Sequence, residues 1–163
     1  MIAFTLLYSS PMTPLFVDKT IEIQAPASKV WDALTERANT DVWAEEFSSG
    51  GPRFHIESDW TMGSRVEWKG DDGAVLVEGN VTALIPLKFL RYTVGDTRSH
   101  EKVLMNEKDG ITYELAEHDG KTTLHLLQGD FSAMKDGEKY CRLTDETWER
   151  VLPVIQKLAE KKG

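Results

Sequence analysis

The sequence predicts an α+β domain: a strand, two short helices, a run of antiparallel strands and one long C-terminal helix. Two patterns carry the prediction. Period-two alternation of apolar and polar residues dominates residues 54–131 and, with Phe16–Gln24, yields seven strand candidates. Apolar spacing switches to helical periodicity on both sides of that run, after Pro26 and again after Thr144. The strand links are short turns, which suits antiparallel pairing, because parallel strands need long crossovers.

In the first strand Ile21 and Ile23 alternate against Glu22 and Gln24. Pro26 suits the first turn of a helix, where a missing N–H is not needed. Val30, Trp31, Leu34 and Ala38 then recur at helical spacing, and Asn39-Thr40-Asp41 supplies capping side chains for a second short helix ending near Phe47. Ser48-Ser-Gly-Gly-Pro52 is a break. Phe54, Ile56 and Ser58 share one face of the next strand, opposite His55, Glu57 and Asp59. Val66 and Trp68 alternate with Glu67 and Lys69, and Gly70-Asp-Asp-Gly73 turns the chain. Val75, Val77, Gly79, Val81 and Ala83 form one face of the fourth strand, which Ile85-Pro86-Leu87-Lys88 ends. Leu90, Tyr92 and Val94 continue in the fifth, and Ile111, Tyr113 and Leu115 in the sixth. His118-Asp-Gly-Lys121 reads as a hairpin turn. Leu124 and Leu126 face in, with Thr123, His125 and Leu127 out. Thr144 and Asp145 can cap the last helix, whose apolar stripe is Trp148, Val151, Leu152, Ile155 and Leu158. Pro153 should kink it by removing a backbone hydrogen bond.

The chain has 163 residues, within the ~100–200 expected of one domain. Residues 1–11 read as an N-terminal extension and residues 12–163 as a single domain. The apolar run Met1–Tyr8 lacks a basic flank, and Ser9-Ser10-Pro11 is a poor cleavage site, so an extended start is preferred over a secretion signal. Residues 95–110 are the least patterned stretch and suggest a functional loop. The formal charge of −8 disfavours nucleic acid. No apolar run approaches the ~20 residues of a membrane span. With Cys141 as the only cysteine, no intrachain disulfide forms, which suits a cytoplasmic location.

The order of elements resembles the START/Bet v 1-like (SRPBCC) superfamily with its helix-grip fold, and within it the homologues of the activator of heat-shock-protein-90 ATPase. The residues that carry this are Ile21-Glu-Ile-Gln-Ala-Pro26 running into Val30-Trp31-Asp-Ala-Leu34, then Trp43, the Gly63 turn and Glu78-Gly79-Asn80-Val81. Leu90-Arg-Tyr-Thr93, Ile111-Thr-Tyr-Glu-Leu115, Thr122-Thr-Leu-His-Leu126 and Trp148 continue the match, over roughly residues 16 to 160. The resemblance implies a curved seven-stranded antiparallel sheet gripping the C-terminal helix. Many members hold an apolar molecule in between; others bind proteins, and a few are enzymes.

Two readings of the aromatic residues stand side by side. They fill a core, or some of them line a ligand pocket between sheet and helix, where apolar walls with a few placed polar groups make the usual small-molecule site. The second reading takes Val66, Trp68, Val77, Val81, Tyr92, Tyr113 and Leu126 from the strands. Trp148, Leu152 and Ile155 come from the helix, with Trp43, Phe47 and Phe54 completing the lining. Tyr92 and Tyr113 are its polar handles, since a buried phenol needs a partner. Gly79 adds room or sharpens the sheet's bend. His55, His100, His118 and His125 do not form a metal motif. Cys141 lacks the setting of a nucleophile. Neither metal nor cofactor is expected. The preferred function is binding of a hydrophobic small molecule. The alternatives are a protein-interaction module of the chaperone-regulator kind, with a protein partner or homodimer, and a cyclase/aromatase- or hydrolase-like enzyme.

Overall fold

The structure is a computed structural model and describes residues 13–48, 51, 53–97 and 110–162. The expectations for residues 1–11, His100 and most of the 95–110 stretch lie outside these.

Strand β1 (Val17–Ile23) leads into helices α1 (Ala27–Thr35) and α2 (Arg37–Trp43) and a 3-10 turn at Ala44–Ser48. Strands β2 (Phe54–Glu57), β3 (Arg65–Gly70), β4 (Val75–Ile85), β5 (Phe89–Tyr92) and the two-residue β6 (Gly95–Asp96) follow. Strands β7 (Gly110–His118) and β8 (Lys121–Gly129) precede helix α3 (Gly137–Glu160). All pairings are antiparallel, in the order β1-β8-β7-β5-β4-β3-β2, and β6 extends the β5 side of β4. This is the predicted seven-stranded curved sheet around a long helix, with β6 as an added short bridge.

Two register shifts bend the long strand β4. One lies opposite Trp68/Lys69 of β3 and the other between Val81 and Ala83. A bulge inserts an unpaired residue, so the strand kinks and its twist increases. Between them stands Gly79. A Cβ there would lie 1.8 Å from the carbonyl oxygen of Thr93. The glycine therefore marks a close backbone approach at the bend and adds no room to the interior. The β7–β8 turn has Asp119 and Gly120 both at positive φ (52° and 76°), the geometry that Asp-Gly favours in a two-residue hairpin.

Three helix boundaries differ from the sequence reading. Helix α1 stops at Thr35 because Glu36 is extended, and that same residue is the N-cap of α2. Asn39, Thr40 and Asp41 therefore lie inside α2. The Asn39 amide donates to the Asp32 carbonyl and caps the end of α1, Thr40 is buried, and Asp41 turns to His55. Helix α3 starts at Gly137, two turns before Thr144. Its first turns carry exposed Tyr140 and Leu143, so no apolar stripe announces them. Asp145 instead pairs with Lys19. Pro153 lies on the exposed face of α3, so the carbonyl that its missing N–H frees can meet water.

Trp148, Val151, Leu152, Ile155 and Ala159 of α3 are buried, on the same core as α1's Val30, Ala33 and Leu34. That core sits on the concave face of the sheet. Ala27, the first residue of α1, donates its N–H to a Glu117 carboxylate oxygen of β7 at 2.6 Å. The negative charge there complements the positive end of the helix dipole.

Candidate functional site

The space between sheet and helix is spanned by aromatic rings in mutual contact. Trp148 lies 5.8 Å from Trp43, 5.1 Å from Phe47 and 6.3 Å from Tyr113, centroid to centroid. Phe47 stands 5.2 Å from Trp68, which is 6.2 Å from Phe54. Tyr92 joins Tyr113 at 5.9 Å and Trp60 at 5.4 Å. Tilted and edge-on pairs of this kind contribute ~0.5–1.5 kcal/mol each beyond burial.

Of the residues expected to line a pocket, ten are buried: Trp43, Val66, Trp68, Val81, Tyr92, Tyr113, Leu126, Trp148, Leu152 and Ile155. Phe47, Phe54 and Val77 are half-buried against that core. The set therefore divides into a closed wall and a partly open end, where Phe47 and Phe54 flank Trp68.

The polar atoms of the cluster mostly find partners. The last carbonyls of a helix have no partner within it, and indoles supply two at the end of α1. Trp43 Nε1 donates to Ala33 O at 2.9 Å and Trp60 Nε1 to Thr35 O at 3.0 Å. Trp148 Nε1 donates to Gln128 Oε1 at 2.7 Å. The phenols meet each other at 2.9 Å, so neither handle lacks a partner. Burial raises both phenol pKa values. Trp68 is the exception: its Nε1–H is buried with no partner among the described residues.

Trp60 also reaches the surface, at the edge of a groove of about 540 Å³. Glu36, Arg37, Glu57, Asp59, Arg65 and Glu67 line it, with Arg37 paired to Glu57 and Arg65 to Glu67. The hydrogen bond from Lys69 holds the Glu57 carboxyl below its ordinary range. This groove is polar, unlike the ring cluster behind Trp60.

On the opposite margin Lys19 points inward from β1 and pairs with Asp145 (3.2 Å) and Glu149 of α3. Cys141 is half-buried nearby. Desolvation, then the Asp145 and Asp130 charges, push its thiol upward, opposite to what a nucleophile needs. His55 sits between Asp41 and Asp71, and His125 between Asp18 and Glu114. Both face outward, as the strand alternation requires. Among the described residues no cluster of three or more His, Cys, Asp or Glu is arranged around a metal, and no helix is long and apolar enough to cross a membrane.

Lys19 and Trp60 are not among the lining residues that the sequence pattern singles out. Extending the Ile21/Ile23 alternation back by two residues places Lys19 inward. Trp60 lies in a loop at φ 51°, where no periodicity applies.

Comparison with known proteins sharpens the assignment. No curated protein matches the sequence significantly. Among solved structures, a protein from Mesorhizobium loti superposes with TM-score 0.67 at 20% identity, covering 90% of this chain and 98% of its own. A protein from Cytophaga hutchinsonii gives 0.66 at 21%, covering 91% and 97%. The Aha1 dimer from Colwellia psychrerythraea gives 0.63 at 19%, covering 91% and 98%. At these identities the likeness shows a shared helix-grip fold. The family described as "Activator of Hsp90 ATPase homolog 1-like protein" matches residues 24–160, a span that runs from the end of β1 through α3. The chain belongs to that family, within the SRPBCC superfamily.

Proposed function

We propose that this protein binds an apolar small molecule between the sheet and α3, at the end formed by Phe47, Phe54, Trp68 and Val77. One observation carries the reading: the ring cluster runs unbroken from the buried core to a margin where Phe47 and Phe54 are only half-buried. Such residues gain contacts when an apolar ligand covers them. Trp43, Val66, Val81, Tyr92, Tyr113, Leu126, Trp148, Leu152 and Ile155 form the wall behind them. A thermal-shift screen of flavonoids, sterols, fatty acids and polyketide-like aromatics tests it, followed by tryptophan quenching. At a ligand concentration ~100 times Kd the stabilisation is about 2.7 kcal/mol, a rise of several degrees in a domain of this size. If no compound moves either signal, the reading is wrong.

A second reading is a protein partner or a homodimer. It draws on Ile85 and Leu87, which stand 56% and 42% exposed at the β4–β5 turn, and on the relative described as a dimer. Light scattering of the wild type and Ile85→Lys separates the cases: a dimer that the variant dissociates supports it. Stimulation of an Hsp90 ATPase by the protein would favour the chaperone form of this reading, and no stimulation is expected.

A further inference from the structure

We infer that the ligand carries a neutral hydrogen-bond acceptor, a carbonyl oxygen on a flat apolar frame, and that the Nε1–H of Trp68 donates to it. The inference rests on the reading that the Phe47–Phe54–Trp68 end takes an apolar molecule.

Three other indoles show what this chain does with such a donor. Those of Trp43, Trp60 and Trp148 each have an oxygen at 2.7–3.0 Å. Trp68 is 5% exposed, and its Nε1 is closed to solvent and has no acceptor among the described residues. A buried unpaired donor loses its bond to water without replacing it, and such groups are rare in native proteins. The rings beside it, Phe47 and Phe54, offer no acceptor.

The backbone also singles out this residue. Trp68 pairs with Val77 and Lys69 with Val75, so Leu76 is the extra residue of a bulge at this point. Bulges re-aim the side chains next to them.

The surroundings select the acceptor's charge. A carboxylate or phosphate buried among these rings would need a counter-charge. The cations beside this end are already paired: Arg53, next to Phe54, with Glu45, Arg150 of α3 with Glu46, next to Phe47, and Lys69 with Glu57, while Lys19 on the opposite margin is held by Asp145 and Glu149. A neutral carbonyl needs only the N–H. The edge-on setting of Phe47 against Trp68, at 77°, suits a flat frame.

The test uses a matched pair of probes, 9-fluorenone and fluorene, which share a frame and differ by the carbonyl. Their affinities are measured by titration on the wild type and on Trp68→Phe, and the indole N–H resonances are followed by ¹⁵N NMR on the wild type. Fluorenone is expected to bind the wild type about tenfold more tightly than fluorene, the share of one hydrogen bond. The preference should vanish in Trp68→Phe. The Trp68 indole resonance should move with fluorenone and much less with fluorene. Equal affinities of both probes for the wild type, or a Trp68 resonance that responds to both alike, would overturn the inference while leaving apolar binding intact. If neither probe nor any compound of the wider screen binds, the binding reading falls and takes this one with it. Should Trp68→Phe fail to fold, the wild-type affinities and resonances decide.

Discussion

Removing one hydroxyl from the Tyr92–Tyr113 pair should destabilise the protein more than removing both would lead an additive count to expect. The two phenols are each about 1% exposed, and their oxygens lie 2.9 Å apart. Tyr92→Phe keeps the ring and its contacts with Trp60 and Tyr113, but leaves the Tyr113 hydroxyl buried without its partner. Such a group costs ~1–3 kcal/mol. At ~2–4 °C per kcal/mol for a domain of this size, the melting temperature falls by roughly 2–12 °C. Tyr113→Phe should behave alike. The double variant buries no phenol at all, and replacing both partners by apolar groups of the same shape is nearly neutral. Its loss should not exceed that of either single variant, giving a coupling energy of at least ~1 kcal/mol in a double-mutant cycle. Urea unfolding of the four proteins, followed by circular dichroism, measures it. Additive losses would refute the reasoning and show that each hydroxyl is satisfied elsewhere.

Three further outcomes follow from the geometry. Gly79→Ala places a methyl 1.8 Å from the Thr93 carbonyl oxygen, so the β4 bend must open at a cost of ~1–3 kcal/mol or more; an unchanged melting temperature would contradict this. His55 is raised above its ordinary value, chiefly by its hydrogen bonds to Asp41 and Asp71. Its folded pKa thus exceeds the unfolded one, so its contribution is full below about pH 6.5 and is lost as pH rises through the folded value. The stability gap between wild type and His55→Gln should accordingly be widest in mild acid and close by pH 9; a gap that grows with pH would reverse the assignment. Lys19→Met frees Asp145 and Glu149, which water can still reach, so global stability should drop by only about 1 kcal/mol or less. Amide exchange in 137–147 should nevertheless quicken, and unchanged exchange there would show that this turn is held by other contacts.

How far the sequence could be read depended on whether a residue's role follows from periodicity. Strand β8 is legible because Leu124 and Leu126 alternate cleanly with His125 and Leu127, and the β7–β8 turn because Asp-Gly suits its φ angles. The first turns of α3 are not, since Tyr140 and Leu143 face water and give no apolar stripe. Asn39 carries the right chemistry for a cap but serves the helix before it, a choice made by the extended Glu36. Within the candidate site, the burial of Trp148, Tyr92 and Tyr113 was readable from their spacing. That the phenols satisfy each other was not, because it depends on a register across two strands. The unpaired indole of Trp68 depends on a bulge and on three other tryptophans having found carbonyl partners, and no local pattern records that.

The placement of β1 has a consequence for synthesis of the chain. Its sheet partner is β8, with Val17 opposite Gln128 and Ile23 opposite Thr122, so this strand waits for one made about a hundred residues later. At ~5–20 residues per second, the ribosome needs several seconds to some twenty seconds to deliver that partner. Through this interval Val17, Ile21 and Ile23 have no strand to cover them, while β2 to β5 can pair locally as they emerge. A nascent chain halted before Lys121 would still carry an unmatched, β-branched segment at residues 17–23, in a form suited to capture by chaperones or by another unfinished copy.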